Sequence, residues 1–135
     1  MPRPLVLLLV LALAALAGCG GGEDDQEQVE QTVRDFVTAT NERDADKFCG
    51  ELVTREFLER TTGATGDQAE EECTRQIGAI QGLELELVSI DETKIDGDTA
   101  TVDVTIAAQG AERPQTLTLE KEDGDWKLSA GAAGS

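Results

Sequence analysis

The chain has 135 residues, with 28 Asp and Glu against 11 Lys and Arg, a formal net charge of −17 and no histidine. Tyrosine is absent too, and Phe36, Phe48, Phe57 and Trp126 are the only aromatic residues. Lack of histidine excludes Ser-His and Cys-His nucleophile pairs and histidine metal sites, and so acidic a chain with so few aromatic rings excludes nucleic acid as a partner.

Residues 1–18 carry a single charge, Arg3, and residues 5–16 are unbroken apolar sequence. A helix needs about 20 such residues to cross a bilayer, so this run has the layout of a secretory leader and not of a stable span. It closes on Leu16-Ala17-Gly18-Cys19. That ending resembles the lipobox of bacterial lipoproteins: an aliphatic residue, two small residues and a cysteine. The resemblance implies cleavage before Cys19, a diacylglyceryl group on its sulfur, and anchoring at the extracytoplasmic face of the cell membrane. The alternative is an ordinary leader with an unrelated cysteine beside it. Residues 19–28, glycine-rich and then acidic, are expected to be a flexible lipidated tether. Loss of the leader removes one positive charge, leaving −18 on the mature chain. Such a surface repels anionic lipid, so the expected membrane link is covalent.

The expected folded domain spans residues 29–130, followed by a disordered tail at 131–135. Val29, Val33, Phe36 and Val37 recur at helical spacing and predict a helix from about Asp25 to Thr40, ending near Asn41. Asp44 is placed to cap a second helix with Ala45, Phe48, Cys49 and Leu52 on its inner face. A short helical piece carries Phe57 and Leu58, and "TTGATGD" (61–67) is a loop by composition. Asp67 and Glu70 have capping-box spacing, opening a helix with Ala69, Cys73 and Ile77 on one face that ends at Gly78 or Gly82. Glu70, Glu71 and Glu72 form its wet face.

The odd cysteine count resolves as one plus two. With Cys19 assigned to lipid, Cys49 and Cys73 remain, each on the apolar face of its helix and in a compartment that permits disulfides. No C-x₂-C metal spacing is present. A Cys49–Cys73 bridge is expected, two buried thiols being the alternative.

Beyond Gly82 the apolar period becomes two. "LELEL" (83–87) predicts a half-buried strand, and the slip in phase at Val88 predicts a β-bulge. "DGD" at 96–98 and again at 123–125 predicts hairpin turns. A calcium loop needs about six oxygens in order, which neither stretch supplies, so no metal and no cofactor is expected. Ala100, Val102, Val104 and Ile106 alternate with polar residues in a second strand; Leu117 and Leu119 mark a third, and Trp126 and Leu128 a fourth. Helices followed by an antiparallel meander make an α+β fold, N-terminal helices packed on a four-stranded sheet.

The helical opening "VEQTVRDFVTATNERDADKFCGELV" (29–53), the small third helix and the closing "LTLEKEDGDWKLS" (117–129) resemble the nuclear-transport-factor-2-like superfamily, which shares its fold with ketosteroid isomerase and polyketide cyclases. The nearest likeness is to small exported lipoproteins of high-GC Gram-positive bacteria, with which the lysine-poor composition agrees. The resemblance implies a cone, a curved sheet wrapped on helices with a pocket at its open end. Enzymatic members place Tyr, Asp or His there. This chain has no Tyr or His to match, and Asp103 lies out of phase with Val102 and Val104, facing water. No catalytic residue is carried over.

Three function classes follow. The favoured one is a non-catalytic, membrane-anchored domain that binds an envelope partner protein or a small apolar ligand. Its mark is an apolar pocket without convergent titratable groups. The others are a structural or spacing module with a filled core, and a small isomerase- or cyclase-type enzyme. The last requires a buried carboxyl, for which Glu84 and Glu86 are candidates only if the first strand is in the opposite phase. Trp126 is the candidate stacking surface, plain core being the simpler role. Arg34 and Arg60 either offset neighbouring acids or receive a carboxylate ligand.

Overall fold

The computed structural model describes residues 22–131. The leader, Cys19 and the residues beyond 131 lie outside them. The elements run α1 (Gly22–Glu42), α2 (Ala45–Lys47), a π-helical turn (Phe48–Leu52), α3 (Arg55–Thr62), α4 (Asp67–Ala79), then β1 (Leu85–Asp96), β2 (Thr99–Ala108), β3 (Ala111–Glu122) and β4 (Asp125–Ala130). The four strands form one antiparallel sheet in sequence order, so every strand connection is a hairpin. Helices lie on one face of this curved sheet, the expected α+β cone.

α1 buries Val29, Val33, Phe36 and Val37 on the predicted face. It begins earlier than the composition suggested. Its start at Gly22 lies three residues before the Asp25 given by periodicity, so residues 22–28 of the expected tether are its first two turns; there Asp25 accepts a hydrogen bond from Trp126 Nε1, 101 positions away, at 3.1 Å. Acidic residues in a first helical turn also oppose the positive end of the helix dipole. At its other end α1 runs two residues past Thr40 and stops at Arg43, which takes the left-handed conformation (φ 55°). The Asp44 amide then bonds back to the Ala39 carbonyl at 2.9 Å, a Schellman closure made without the usual glycine. The Arg43 side chain donates to the Ile80 carbonyl, tying the end of α1 to the end of α4.

Asp44 caps α2 as predicted, accepting from the Lys47 amide. The wider π-helical turn that follows keeps Phe48, Cys49 and Leu52 buried together. Phe48 packs on Phe36 with ring centroids 5.4 Å apart. α4 starts differently from expectation: Gly66 precedes it in the N-cap position and no side chain caps it, so Asp67 is the first helical residue and not the capping group. The helix ends at Ala79, between the two glycines proposed. Cys49 and Cys73 form the expected disulfide, with Cα atoms 6.0 Å apart.

In the sheet, the predicted slip at Val88 is a register shift between Leu87 and Ser89, and a second lies between Ile90 and Glu92. These bulges bend β1. Because β1 is a free edge, they and the exposed Glu86, Asp91 and Glu92 also discourage pairing with another chain. The opposite edge, β4, is covered: the Thr54 amide donates to the Leu128 carbonyl at 2.9 Å, beside a parallel bridge from Val53. Both Asp-Gly-Asp turns join strands, with Gly97, Asp123 and Gly124 at positive φ. Ala100, Val102, Val104 and Ile106 of β2 and Leu117, Leu119 and Leu128 face the helices and are buried. The outer face is polar, and there Asp103 accepts a hydrogen bond from Thr116 Oγ1 at 2.7 Å. Among the described residues every buried side-chain N and O atom has a partner.

Candidate functional site

The hairpin of β2 and β3 extends past the helical layer, and a cavity of about 660 Å³ opens where helices no longer cover the sheet. Its size lies within the roughly 300–1,000 Å³ of small-molecule sites. Phe36 and Thr40 from α1, Phe48 from the π-helical turn, Phe57 from α3 and Ile77 from α4 make one wall; Ile80 and Leu83 of the connecting loop close one side. The sheet supplies Leu85, Ile106, Ala108, Ala111, Arg113 and Gln115. The space exists because small residues occupy the sheet side: Ala108, Ala111 and Gly131 line it where larger side chains would fill it. At Gly131 the backbone demands glycine as well. Its φ is 93°, and a Cβ there would strike the Thr116 carbonyl and lie 2.9 Å from Leu117 Cα.

Thr40 is the polar group deepest in the wall, and its hydroxyl is satisfied internally by the Phe36 carbonyl at 2.7 Å. Just outside, Asn41 behaves as a surrogate strand: its Nδ2 donates to the Leu85 carbonyl and its Oδ1 accepts from the Leu85 amide, both at 2.7 Å. That pair fixes the first residue of β1 against α1 and so sets the cavity's edge. Arg113 is the one ionisable side chain in the lining. It lies opposite Ile106 in the β2–β3 register, on the same face as Gln115, Leu117 and Leu119.

The sequence-based candidates lie elsewhere. Trp126 is buried under α1, 3% exposed, on the β4 side of the sheet and outside the cavity lining. It donates to Asp25, accepts at its carbonyl from Thr32 Oγ1 at 3.2 Å, and has Lys121 Nζ 5.4 Å from its ring. Lys121 also reaches Asp25 at 3.1 Å. The Trp126 hydrogen bond, and then that of Lys121, hold the Asp25 carboxyl below its ordinary pKa, against a smaller opposing effect of burial. Arg34 faces Glu30 at 3.8 Å; Arg60 faces Glu56 at 3.9 Å and donates to the Ser129 carbonyl. Neither lines the cavity. Glu84 and Glu86 are exposed, in the phase first expected for β1. Among the described residues no three acidic or sulfur side chains converge as a metal site. Arg113 was legible in principle: the inward phase of Leu117 and Leu119, counted back by twos, passes through Gln115 to Arg113.

The profile described as "Low molecular weight antigen MTB12, C-terminal domain" matches residues 62–134. The chain belongs to this family. The MTB12-type match begins at the end of α3 and takes in α4 and the whole sheet, so it covers the sheet wall of the cavity and the Ile77 side of the helical one. No curated protein matches the sequence. Solved structures of similar fold include an uncharacterised protein with a cystatin-like fold from Caulobacter vibrioides (TM-score 0.59, 18% identity, 80% of this chain and 87% of that one). An NTF2-like protein from Cytophaga hutchinsonii is similar too (TM-score 0.56, 18% identity, 82% and 95%). So is an LEH-like epoxide hydrolase from M. tuberculosis (TM-score 0.51, 18% identity, 76% and 82%). At such identities the likeness establishes the NTF2-like cone and nothing of its chemistry.

Proposed function

We propose that this MTB12-type domain is a non-catalytic binding module that takes a small apolar ligand into the cone, carried on an exported lipoprotein anchored through Cys19. The observation that carries the binding reading is the cavity itself: aromatic and aliphatic walls, no carboxylate among the lining residues, and space left by Ala108, Ala111 and Gly131. A filled spacing module would have no reason to leave that volume empty of larger side chains. An isomerase or cyclase would need a general base in it. Support for the anchor comes from sequence, the leader ending in Leu16-Ala17-Gly18-Cys19. Two acyl chains give stable attachment where one does not.

Native mass spectrometry of the protein from its own host and from a foreign host tests the binding reading. An additional mass on the host-derived protein, lost in Ala108→Trp, is the expected result. A clean mass from both sources, with no uptake of 1-decanol by the full-length chain, overturns it. For the anchor, Cys19→Ala is expected to leave the protein unprocessed and without lipid. Normal processing and lipid mass in that variant would remove the claim.

A further inference from the structure

The geometry points to an anionic amphiphile as the ligand: an acyl chain seated among the cavity's aromatic and aliphatic residues, with its carboxylate on the Arg113 guanidinium. This rests on the apolar-ligand reading above and adds the head group to it.

Three observations converge on Arg113. The first is placement. Arg113 lies on the core-facing side of β3, directly opposite the buried Ile106. Along that face Ala100–Ile106 and Leu117–Leu119 are buried and apolar, whereas Gln115 is half-buried and Arg113 exposed, so the face turns polar at the open side of the cavity and the guanidinium keeps its water there until a ligand meets it. The second is pairing. In a chain of net charge −17, cations find acidic neighbours easily. Lys47, Lys94, Lys121, Lys127, Arg34, Arg60 and Arg75 all do so, and Arg43 holds a backbone carbonyl. Among the described residues only Arg55 and Arg113 have side chains with neither an ion pair nor a hydrogen bond, and of these only Arg113 lines the cavity.

The third is the neighbourhood. Gln115 and Gln109 are the other polar side chains on that side of the lining. Amide donors beside a guanidinium suit a carboxylate, whose two oxygens accept several bonds in one plane. Glu112, the acid next in sequence, lies at the other phase of the strand, opposite Ala107. The site thus has one end that excludes water from a chain and one that receives a negative head. Its geometry matches a carboxylate because Arg presents paired donors and cannot lose its proton.

The test is a titration of the full-length chain with decanoate and with 1-decanol at neutral pH, which share a ten-carbon chain and differ in the charged head. Wild type is expected to bind decanoate about 5- to 10-fold more tightly, the range of a charge-assisted hydrogen bond at a partly exposed site. Arg113→Gln is expected to bring the two within about twofold by losing decanoate affinity alone, and Arg113→Lys to restore part of the preference. Arg55→Gln, which changes net charge equally but lies outside the cavity, is expected to leave the preference intact. Equal binding of both probes by wild type, or an equal effect of Arg55→Gln, overturns the carboxylate assignment and leaves the apolar cavity standing. Failure of both probes to bind overturns the cavity reading as well.

Discussion

Asn41 shows how a single side chain sets the geometry of this site. Its amide makes two hydrogen bonds to the Leu85 backbone, each 2.7 Å and half-buried, as a neighbouring strand residue would. Alanine at this position leaves one donor and one acceptor of Leu85 without partners at the point where β1 leaves the helical layer. The expected cost is about 2 kcal/mol, a fall in melting temperature on the order of 10 °C. Thermal unfolding followed by circular dichroism reads it directly, and an unchanged melting temperature would mean that water replaces both bonds. In the sequence Asn41 signals only the end of a helix, because its partner is 44 positions away. Arg113 was hidden in a similar way. A period of two counted back from Leu117 reaches it, yet nothing local distinguishes it from the paired arginines.

At the scale of elements, the legible parts are those whose signal is periodic and short-range. The Val29–Val33–Phe36–Val37 face, the alternation of β2 and the bulge at Val88 all stand as expected, because burial imposes 3.6 or 2 on the residues themselves. Periodicity carried α1 back to about Asp25, and residues 22–24 before it have no apolar repeat to mark them; nor does any local pattern show that Asp25 meets Trp126 and Lys121, about a hundred positions away. That contact between Asp25, Trp126 and Lys121 has a pH signature. The folded carboxyl titrates below its ordinary value, so its contribution is fully present above about pH 4 and is lost as pH falls through the depressed value. Acid unfolding followed by Trp126 fluorescence is expected to be shallower in Asp25→Asn than in wild type below about pH 4. Parallel curves would remove Asp25 from the acid response. The disulfide acts on other elements, clipping the π-helical turn to α4 across 24 positions. A loop of that length implies about 3.5 kcal/mol of chain entropy. The Cys49→Ser, Cys73→Ser double variant is expected to unfold at distinctly lower urea with an equal or steeper slope, the uncrosslinked unfolded chain exposing more surface; an unchanged midpoint would show that packing alone holds the two helices.

For the whole molecule, the direction of α1 couples the proposed anchor to the proposed site. α1 has 21 residues, about 30 Å of rod at 1.5 Å per residue. Its N-terminal part packs near Trp126, whereas Phe36 and Thr40, in its last two turns, line the cavity. Fourteen residues separate Gly22 from Phe36, about 21 Å along the axis. Cys19 lies three residues before α1, which permits a link of no more than about 11 Å. A lipid on Cys19 would therefore hold the Trp126 end at the membrane and carry the cavity away from it. The excess of negative charge pushes in the same direction, because an anionic leaflet repels the acidic surface. A ligand would then enter from the aqueous side and not by sliding out of the bilayer. The chain's single tryptophan makes this measurable. In membrane-anchored protein, lipids with nitroxide head groups are expected to quench Trp126 more strongly than a tryptophan placed at the cavity in Leu83→Trp, Trp126→Phe. The reverse order would turn the domain over and bring the cavity to the lipid. Decanoate would then be expected to reach it faster from loaded vesicles than from solution.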